Sequence, residues 1–320
     1  MLTDTHTHLY SEAFDLDRDI VMQQAKHSGV SRFFIPAIDS SYAKAMYDLE
    51  ASYPDCVHLM MGLHPTSVKE NYKEELAFVV KELERRSFVA IGEIGIDLYW
   101  DTSTLAIQRE AFVFQIRLAK KYKLPIVIHC RDAFDQVFEV LEQEKGDDLF
   151  GIFHCFTGSL AQAKQAIGYN MKLGIGGVVT FKNGKIDQFL NQIDIKHIVL
   201  ETDAPYLSPK SQRGKRNEPA YLPEVAEKIA EWKNISIEEV VGSPSVTADK
   251  VLIGERPEHQ EMPVFVAHYL AGLIASFILQ RIDANKSDLT GAYMSVDSLA
   301  LSASSLIPVA RNPACGCHWL

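Results

Sequence analysis

The sequence predicts an α/β protein built on a TIM (β/α)8-type barrel, followed by a C-terminal extension of unknown fold. Three observations lead to this prediction: eight short apolar runs occur along the chain, amphipathic helical patterns separate them, and no glycine-rich phosphate loop follows the first run. The 320 residues leave room for such a barrel, which takes roughly 250 residues as one domain. Hydrophobic residues make up 47% of the chain and charged residues 23%, and this balance excludes wholesale disorder.

The apolar runs have the composition of strands that are covered on both faces. They are rich in Val, Ile, Leu and Phe and do not alternate with polar residues. The predicted strands are Leu2–His6, Phe33–Pro36, Leu59–Gly62, Val89–Gly92, Ile126–His129, Gly151–His154, Lys172–Ile175 and Ile198–Thr202. An open doubly wound sheet is the alternative architecture, but it needs a glycine-rich turn after its first strand. Because Thr5–Tyr10 contains no glycine, the closed barrel is favoured.

Two of the segments between the strands have a clear helical period. One apolar stripe in Leu105–Tyr122 contains Ile107, Ala111, Phe114 and Leu118. Pro219–Trp232 has a similar stripe, and its prolines suit the opening turns because the first N–H groups of a helix have no partner within it. We therefore predict a helix over each of these two segments.

The last part of the chain differs in composition from the rest. From 242 to 320 only 12 residues are charged, against 62 of the first 241. We therefore expect a barrel domain over 1–241 and an unassigned extension over 242–320, in which Pro263–Ile282 has the pattern of one helix. The extension is a candidate surface for a protein partner.

The formal net charge of −10 limits the kinds of partner. It argues against a protein that coats duplex DNA with a broad basic face, but it leaves room for a nuclease that touches only a few phosphates. Five scattered cysteines do not form a secreted disulfide framework, and the first ten residues lack the pattern of a signal peptide. No apolar run reaches the roughly 20 residues that span a membrane. We expect a cytoplasmic protein that contacts no membrane.

Residues with metal-binding side chains fall at the ends of the predicted strands, where the active sites of TIM barrels lie. They are His6, His8, Glu93, His129, His154 and Asp203. One such histidine is more often structural than a ligand, but six ligand-type residues at strand ends favour a metal site. Imidazole mixed with carboxylate suits Zn²⁺, Mn²⁺ or Mg²⁺. Six protein ligands exceed what one catalytic ion with an open position usually takes, so two divalent ions fit better.

Seven short motifs along the chain also carry a family resemblance. In order, they are DTHTHL (Asp4–Leu9), GLHP (Gly62–Pro65), GEIGID (Gly92–Asp97), PIVIHCRDAFD (Pro125–Asp135), HCFTG (His154–Gly158), ETDAPYL (Glu201–Leu207) and RNEP (Arg216–Pro219). The ordered set resembles the TatD family of metal-dependent deoxyribonucleases, which belongs to the amidohydrolase-type barrel hydrolases, over about residues 1–241. The family's first motif usually continues with an acidic or amide residue, whereas this chain has Tyr10 there.

The resemblance implies a role for each predicted ligand. His6, His8, Glu93 and Asp203 would hold one ion, and Glu93, His129 and His154 would hold the other, with Glu93 bridging. Asp203 would also orient or deprotonate the attacking water. His64 would contact the scissile phosphate, and a structural loop histidine is the equal alternative for this residue.

The implied activity is hydrolysis of DNA phosphodiesters, as a 3′–5′ exodeoxyribonuclease acting on single-stranded or frayed ends. Two alternatives stay open. The same metal chemistry serves an amidohydrolase or deacylase, for example one acting on aminoacyl-tRNA, because a metal-activated water also attacks carbonyl groups. A non-catalytic nucleic-acid-binding or scaffold protein is the other.

Further polar residues near the predicted site are candidates for substrate binding. Arg131 follows His129 by two residues and offers a guanidinium fork for phosphate, with a structural ion pair as its alternative. Tyr206 is a candidate surface for base stacking. Arg216 ends the densest basic run, and its alternative is a solvated loop.

Two acidic residues have two equal interpretations each. Glu201 either orients a ligand histidine or is a polar group of the barrel interior. Asp97 either orients a ligand histidine in the same way or caps a loop.

Overall fold

The computed structural model describes residues 2–182 and 184–243, together with the backbone of two later strands. In the first part, strands and helices alternate. The strands are β1 (Leu2–Asp4), β2 (Val30–Ile35), β3 (Val57–Leu59), β4 (Ile91–Asp97), β5 (Ile126–Arg131), β6 (Gly151–Phe153), β7 (Met171–Ile175) and β8 (Ile198–Leu200). The helices are α1 (Arg18–His27), α2 (Ala43–Ser52), α3 (Tyr72–Arg85), α4 (Leu105–Tyr122), α5 (Phe134–Glu144), α6 (Leu160–Gly168), α7 (Leu222–Lys233) and α8 (Ile237–Gly242).

Hydrogen bonds between neighbouring strands close the barrel. β1 to β3 pair in parallel in chain order, and β4 to β8 do the same. The two sets join where Met61 bridges Ile91, and the Met61 N–H donates to the carbonyl of Ala90 at 3.1 Å. On the opposite side, the Thr5 N–H donates to the carbonyl of Leu200 at 3.0 Å. The eight parallel strands thus form a closed ring, and the predicted fold class is confirmed.

Two apolar clusters pack on the two faces of the strands. Side chains at successive strand positions point to opposite faces, so Phe33 belongs to the larger cluster, shared with the helices, and Phe34 to the smaller one. The smaller cluster contains Phe34, Met60, Ala90, Val127, Ile152 and Val199. These six residues lie on or beside six different strands, as the filled interior of a small barrel requires.

Both predicted helices are present. α4 has the predicted bounds, and α7 begins at Leu222 after a 3₁₀ turn over Pro219–Tyr221. β3 ends earlier than predicted, and β4 continues beyond Gly92 because its residues pair with β5 as far as Asp97 and Arg131.

The predicted apolar stripe of α4 is only partly right. Ala111 and Leu118 are buried, but Phe114 is 40% exposed. Gln108 and Gln115 are buried instead, because their side-chain amides form hydrogen bonds with the backbone of neighbouring segments.

The connection between β7 and β8 differs from the alternation that the sequence predicts. Its described residues form short 3₁₀ turns at Gly177–Thr180, Ile186–Gln188, Leu190–Gln192 and Ile195–His197. Glycines at 176, 177 and 184 interrupt this segment, and glycine weakens a helix interior by about 1 kcal/mol relative to alanine.

The chain divides into two compact units, Met1–Pro257 and Glu258–Leu320. In the second unit, β9 (Ala292–Val296) and β10 (Ser304–Pro308) pair antiparallel. The predicted helix over Pro263–Ile282 lies outside the described residues, and the predicted boundary at 241/242 stays a prediction. Within the described part of the chain, no helix has both the length and the apolar character that a membrane crossing needs.

Candidate metal centre

Glu93 lies at the centre of a group of buried side chains near the carboxyl ends of the strands. It is the third residue of β4 and is 2% exposed. Its Oε2 atom lies 3.1 Å from Nε2 of His6 and 3.9 Å from Nε2 of His8. Its Oε1 atom lies 3.0 Å from Nδ1 of His129 and 3.5 Å from Nε2 of His154. The two oxygens of one carboxylate therefore face two different pairs of imidazoles.

Asp203 lies on the Oε2 side of this group. Its Oδ1 atom is 3.3 Å from Nε2 of His8 and 3.9 Å from Nε2 of His6. Its backbone has φ 58°, a left-handed conformation that is uncommon for a non-glycine residue and that clusters at functional sites. The Asp203 N–H donates to the carbonyl of His6 at 2.9 Å, which ties the loop after β8 to the loop after β1.

His64 lies on the Oε1 side. Its Nε2 atom is 3.5 Å from Oε1 of Glu93 and 3.3 Å from Nδ1 of His129. Its other ring nitrogen is 2.7 Å from the hydroxyl of Thr66. The residue is thus as close to Glu93 as the predicted ligand His154 is.

Three overlapping sets of side chains bring their ligand atoms within 4.8 Å of one another. The sets are His6 with His8 and Asp203, His6 with Glu93 and His154, and His64 with Glu93 and His129. All six predicted ligands belong to these sets, and His64 belongs as well. The division of ligands between two ions stays a prediction.

The buried nitrogens of the group suit a cation. Nε2 of His6 is inaccessible to solvent and has no hydrogen-bond partner among the described residues, yet it lies beside the carboxylates of Glu93 and Asp203. A buried polar atom without a partner is costly unless something else satisfies it. Imidazole nitrogens and carboxylate oxygens around one point are the ligands of Zn²⁺, Mn²⁺ and related ions, so the residues fit a divalent metal.

The two carboxyl groups of the centre are ionised, which suits a cation. Burial opposes ionisation of Glu93, but the neighbouring His6 and His154 outweigh it and hold the pKa of Glu93 well below its usual range. Burial likewise opposes ionisation of Asp203, and His154 and His8 keep the pKa of that carboxyl below its ordinary value. Both carboxyl groups are therefore anionic at neutral pH.

Three of the histidines have a polar partner at the ring nitrogen that faces away from Glu93. The contacts are Nε2 of His129 with Oδ2 of Asp97 at 2.7 Å, Nδ1 of His154 with Oε1 of Glu201 at 3.2 Å, and Nδ1 of His8 with the hydroxyl of Tyr10 at 2.9 Å. Such partners fix the orientation of a ligand histidine and the ring nitrogen that it offers to the metal.

Two of these partners were candidates from the sequence, and one was missed. Glu201 and Asp97 both lie behind a histidine, and Asp97 also accepts a hydrogen bond from the N–H of Tyr99, so it caps a loop as well. Tyr10 was missed because its alignment with His8 depends on the path of the loop after β1. The available signal was that Tyr10 occupies the position at which this chain departs from the family's first motif.

An open cleft of about 660 Å³ lies over Glu93 and Asp203, a volume typical of small-molecule sites. His64, Arg131 and Tyr206, three of the four predicted substrate contacts, line it. The guanidinium carbon of Arg131 lies 3.7 Å from the ring centroid of Tyr99. These positions support the predicted contacts without testing them.

Arg216 is placed differently. Its guanidinium donates to both carboxylate oxygens of Asp17, at 2.9 and 2.7 Å, and to Glu218 at 2.9 Å. It is not among the residues that line the cleft over Glu93. The geometry is that of a bidentate structural ion pair, so its substrate contact stays a prediction that nothing in the site supports.

The cleft also contains aromatic side chains that the sequence analysis did not select. Trp100 is 71% exposed and Tyr42 is 39% exposed, and both line the cleft beside Tyr206. The signal for Trp100 was its position in an aromatic pair that follows the GEIGID motif after a single leucine. Exposed aromatic rings at a cleft are typical of sites that bind unpaired bases.

Comparison with known proteins agrees with this geometry. A profile of the family described as TatD related DNase matches residues 3–251. The chain belongs to the TatD family. The resemblance in the sequence motifs is thereby confirmed, and with it the assignment as a TatD-family metal-dependent hydrolase.

TatD-family relatives cover most of this chain. The uncharacterized metal-dependent hydrolase YabD of Bacillus subtilis is 39% identical over 252 residues, which are 78% of this chain and 98% of that protein. The 3′-5′ ssDNA/RNA exonuclease TatD of Pectobacterium parmentieri is 32% identical over 237 residues, 72% of this chain and 91% of that protein. Among solved structures, the TatD homolog YJJV of Escherichia coli K12 matches with a TM-score of 0.74 at 27% identity, covering 79% of this chain and 98% of that one.

Proposed function

We propose that this TatD-family hydrolase is a 3′–5′ exodeoxyribonuclease that removes nucleotides from single-stranded or frayed DNA ends with two divalent ions. The observation that carries the proposal is the position of Glu93, whose two oxygens face two sets of histidines below an open cleft. Two ions bridged by one carboxylate are the arrangement that suits phosphodiester hydrolysis, because attacking and leaving oxygens both need stabilisation.

The proposed ligands fall into two groups, one near each oxygen of the Glu93 carboxylate. His6, His8 and Asp203 would hold one ion with Oε2, and His129 and His154 would hold the other with Oε1. Bound Mg²⁺, Mn²⁺ or Zn²⁺ would supply Lewis acidity and an activated water at neutral pH.

Asp203 is the proposed proton acceptor. Its pKa is held below the ordinary value by His154 and His8 against the effect of burial, so it is a carboxylate at neutral pH. It also lines the cleft, where an attacking water would approach. A carboxylate in this position can orient that water and accept its proton.

His64 and Arg131 are the proposed phosphate contacts. Both line the cleft, and Arg131 offers a planar fork that matches two phosphate oxygens. Tyr206 is 57% exposed at the same cleft and is the proposed surface for a terminal base. The exonuclease name of the Pectobacterium relative supports the choice of a single-stranded nucleic acid as substrate.

The test is digestion of single-stranded DNA labelled at the 5′ or the 3′ end, with Mg²⁺, Mn²⁺, Zn²⁺ or EDTA. We expect the 5′-labelled strand to shorten gradually, while the 3′ label is released at once as a mononucleotide. EDTA and the Glu93→Ala variant should both abolish the activity.

The variant Glu139→Ala on α5 is the matched control, since this glutamate is exposed and pairs with Arg109. No cleavage by metal-loaded wild-type protein, or cleavage that Glu93→Ala retains, would contradict the proposal. An aminoacyl-tRNA substrate would be tested next in that case, because the same centre suits a deacylase.

A further inference from the structure

A second cleft, of about 520 Å³, adjoins the cleft over the metal centre. The two clefts share Arg131 and Thr157 in their walls, so they meet at these residues. The Arg131 side chain stands at this junction, with its guanidinium over the ring of Tyr99. A strand bound at the metal centre can therefore continue past Arg131 into the second cleft.

The second cleft is more basic than the chain around it. Arg131 and Lys185 contribute two positive charges to its walls, against the one carboxylate of Asp132. The whole chain, in contrast, has a net charge of −10. Within the described side chains, neither Arg131 nor Lys185 forms an ion pair with a carboxylate. Among the described side chains, nothing anionic thus competes with an anionic ligand for these two cations.

The other side chains of the cleft suit the base and the sugar of a nucleotide. Tyr99 is 53% exposed, and Phe134 lies in the same wall, so aromatic surface is present for a base. Ser159 and Gln162 cap the N-terminus of α6 with their side-chain oxygens, and the Ser159 hydroxyl hydrogen and the Gln162 amide NH2 group remain as donors for the sugar or the base edge. A wall with two cations, aromatic surface and neutral polar groups matches the mixed chemistry of one nucleotide unit.

We propose that the second cleft binds the nucleotide next to the scissile phosphate, and that Lys185 contacts the phosphate of that unit. The proposal rests on the nuclease function proposed above and extends it to a residue outside the metal centre. Arg131 at the junction would contact the strand between the two units. A substrate with one nucleotide has no second phosphate for Lys185 to contact, whereas an oligonucleotide has one.

The experiment compares two substrates of different length with full-length, metal-loaded protein. The p-nitrophenyl ester of thymidine 5′-phosphate contains one phosphodiester and has no second phosphate for Lys185 to contact, whereas tetrathymidylate has further phosphates that extend into the second cleft. The variants are Lys185→Ala and, as the matched control, Lys182→Ala. Lys182 is an exposed lysine three residues away that does not line the second cleft.

Lys185→Ala should raise KM for tetrathymidylate about tenfold, because a charged contact to one phosphate is lost. Its kcat/KM for the nitrophenyl ester should equal that of the wild type. The slope of log(kcat/KM) against log[salt] for tetrathymidylate should become less negative by about 0.7, the share of one phosphate contact in a single strand. Lys182→Ala should match the wild type with both substrates.

Two results would overturn the proposal. If Lys185→Ala and Lys182→Ala have the same KM and salt slope for tetrathymidylate while both cleave it, the second cleft is not a subsite and the nuclease function stands. If metal-loaded wild-type protein cleaves neither substrate, the proposed nuclease function fails, and the subsite fails with it.

Discussion

Among single residues, Tyr10 contacts the ligand histidine His8 and determines which of its ring nitrogens carries the proton. Tyr10 is 4% exposed, and burial together with the nearby Glu93 raises the pKa of its phenol well above the usual value, so the phenol stays neutral. Nε2 of His8 faces Glu93 and Asp203. For that nitrogen to bind an ion, the ring proton must lie on Nδ1, which then donates to the hydroxyl of Tyr10.

Tyr10→Phe should therefore weaken metal binding. The variant leaves the buried Nδ1–H of His8 without an acceptor, and losing a partner behind a ligand histidine typically lowers metal affinity by about 10- to 100-fold. We expect a loss near tenfold, measured as the Mn²⁺ dissociation constant by competition with a fluorescent chelator. Tyr42→Phe is the matched control, since its ring lies 5.5 Å from that of Tyr10. Equal affinity in both variants would show that the Tyr10 contact has no part in metal binding.

The sequence was sufficient to select the residues around Glu93 because each lies in the carboxyl-terminal part of a buried strand or in the loop after it, and parallel strands bring their carboxyl ends together. It was not sufficient for Tyr10 or Trp100, whose positions depend on loop paths that no periodic pattern encodes. It also selected Arg216, because a basic run beside the last strand does not reveal that Asp17, almost 200 residues away, accepts its hydrogen bonds.

At the scale of elements, α4 holds the loop that carries His64. The side chain of Gln115 accepts a hydrogen bond from the Leu63 N–H at 2.7 Å and donates to the Leu63 carbonyl at 3.1 Å. Both residues are about 1% exposed, so neither backbone group of Leu63 has access to water. The polar side chain on the buried face of α4 thus positions the residue next to His64.

Gln115→Leu should destabilise the protein by about 1–3 kcal/mol, because it leaves two buried backbone groups without partners. The free energy of unfolding in urea measures this effect. Gln143→Leu, at an exposed glutamine of α5, is the control and should change stability by less than about 0.5 kcal/mol. If the two variants are equally stable, α4 does not hold this loop through Gln115.

The pair of Arg216 and Asp17 joins the segment before α7 to the start of α1. The hydrogen bonds from Arg216 lower the pKa of Asp17 below its ordinary value of 3.8. Because the folded-state pKa is the lower one, the pair stabilises the protein above about pH 3.8, and this contribution is lost as the pH falls through the folded-state pKa. Both side chains are partly exposed, at 24% and 37%, so solvent screening limits the contribution to about 1 kcal/mol.

Asp17→Asn should therefore cost stability at pH 7 and progressively less below pH 4. Unfolding curves of the variant and the wild type between pH 7 and pH 2.5 measure the difference. A difference in unfolding free energy that stays constant over this range would show that the ion pair does not contribute.

At the scale of the whole molecule, the proposed site lies within the part of the chain that its relatives share. The candidate ligands run from His6 to Asp203, and the family match ends at residue 251. The 252 residues aligned with YabD cover 98% of that protein. Residues 258–320 form the second compact unit of the chain. All the proposed ligands belong to the first compact unit.

Removing residues 258–320 should leave the Mn²⁺ affinity unchanged within about twofold. The reason is that every proposed ligand precedes residue 204, and so does each side chain that contacts the second ring nitrogen of a ligand histidine. Metal affinity of the truncated and full-length chains, measured by the same chelator competition, checks this expectation. A tenfold loss of affinity in a truncated chain that still unfolds cooperatively would assign the second unit a part in the site.

If the two oxygens of Glu93 serve two ions, the protein binds two ions per chain, and this number can be measured. Mass spectrometry of protein saturated with Mn²⁺ and freed of excess ion should give two ions in the wild type and none in Glu93→Gln. Glu82→Gln, at a buried glutamate of α3 that accepts a hydrogen bond from Tyr47, should keep both. One ion in the wild type, or two ions retained by Glu93→Gln, would contradict the claim.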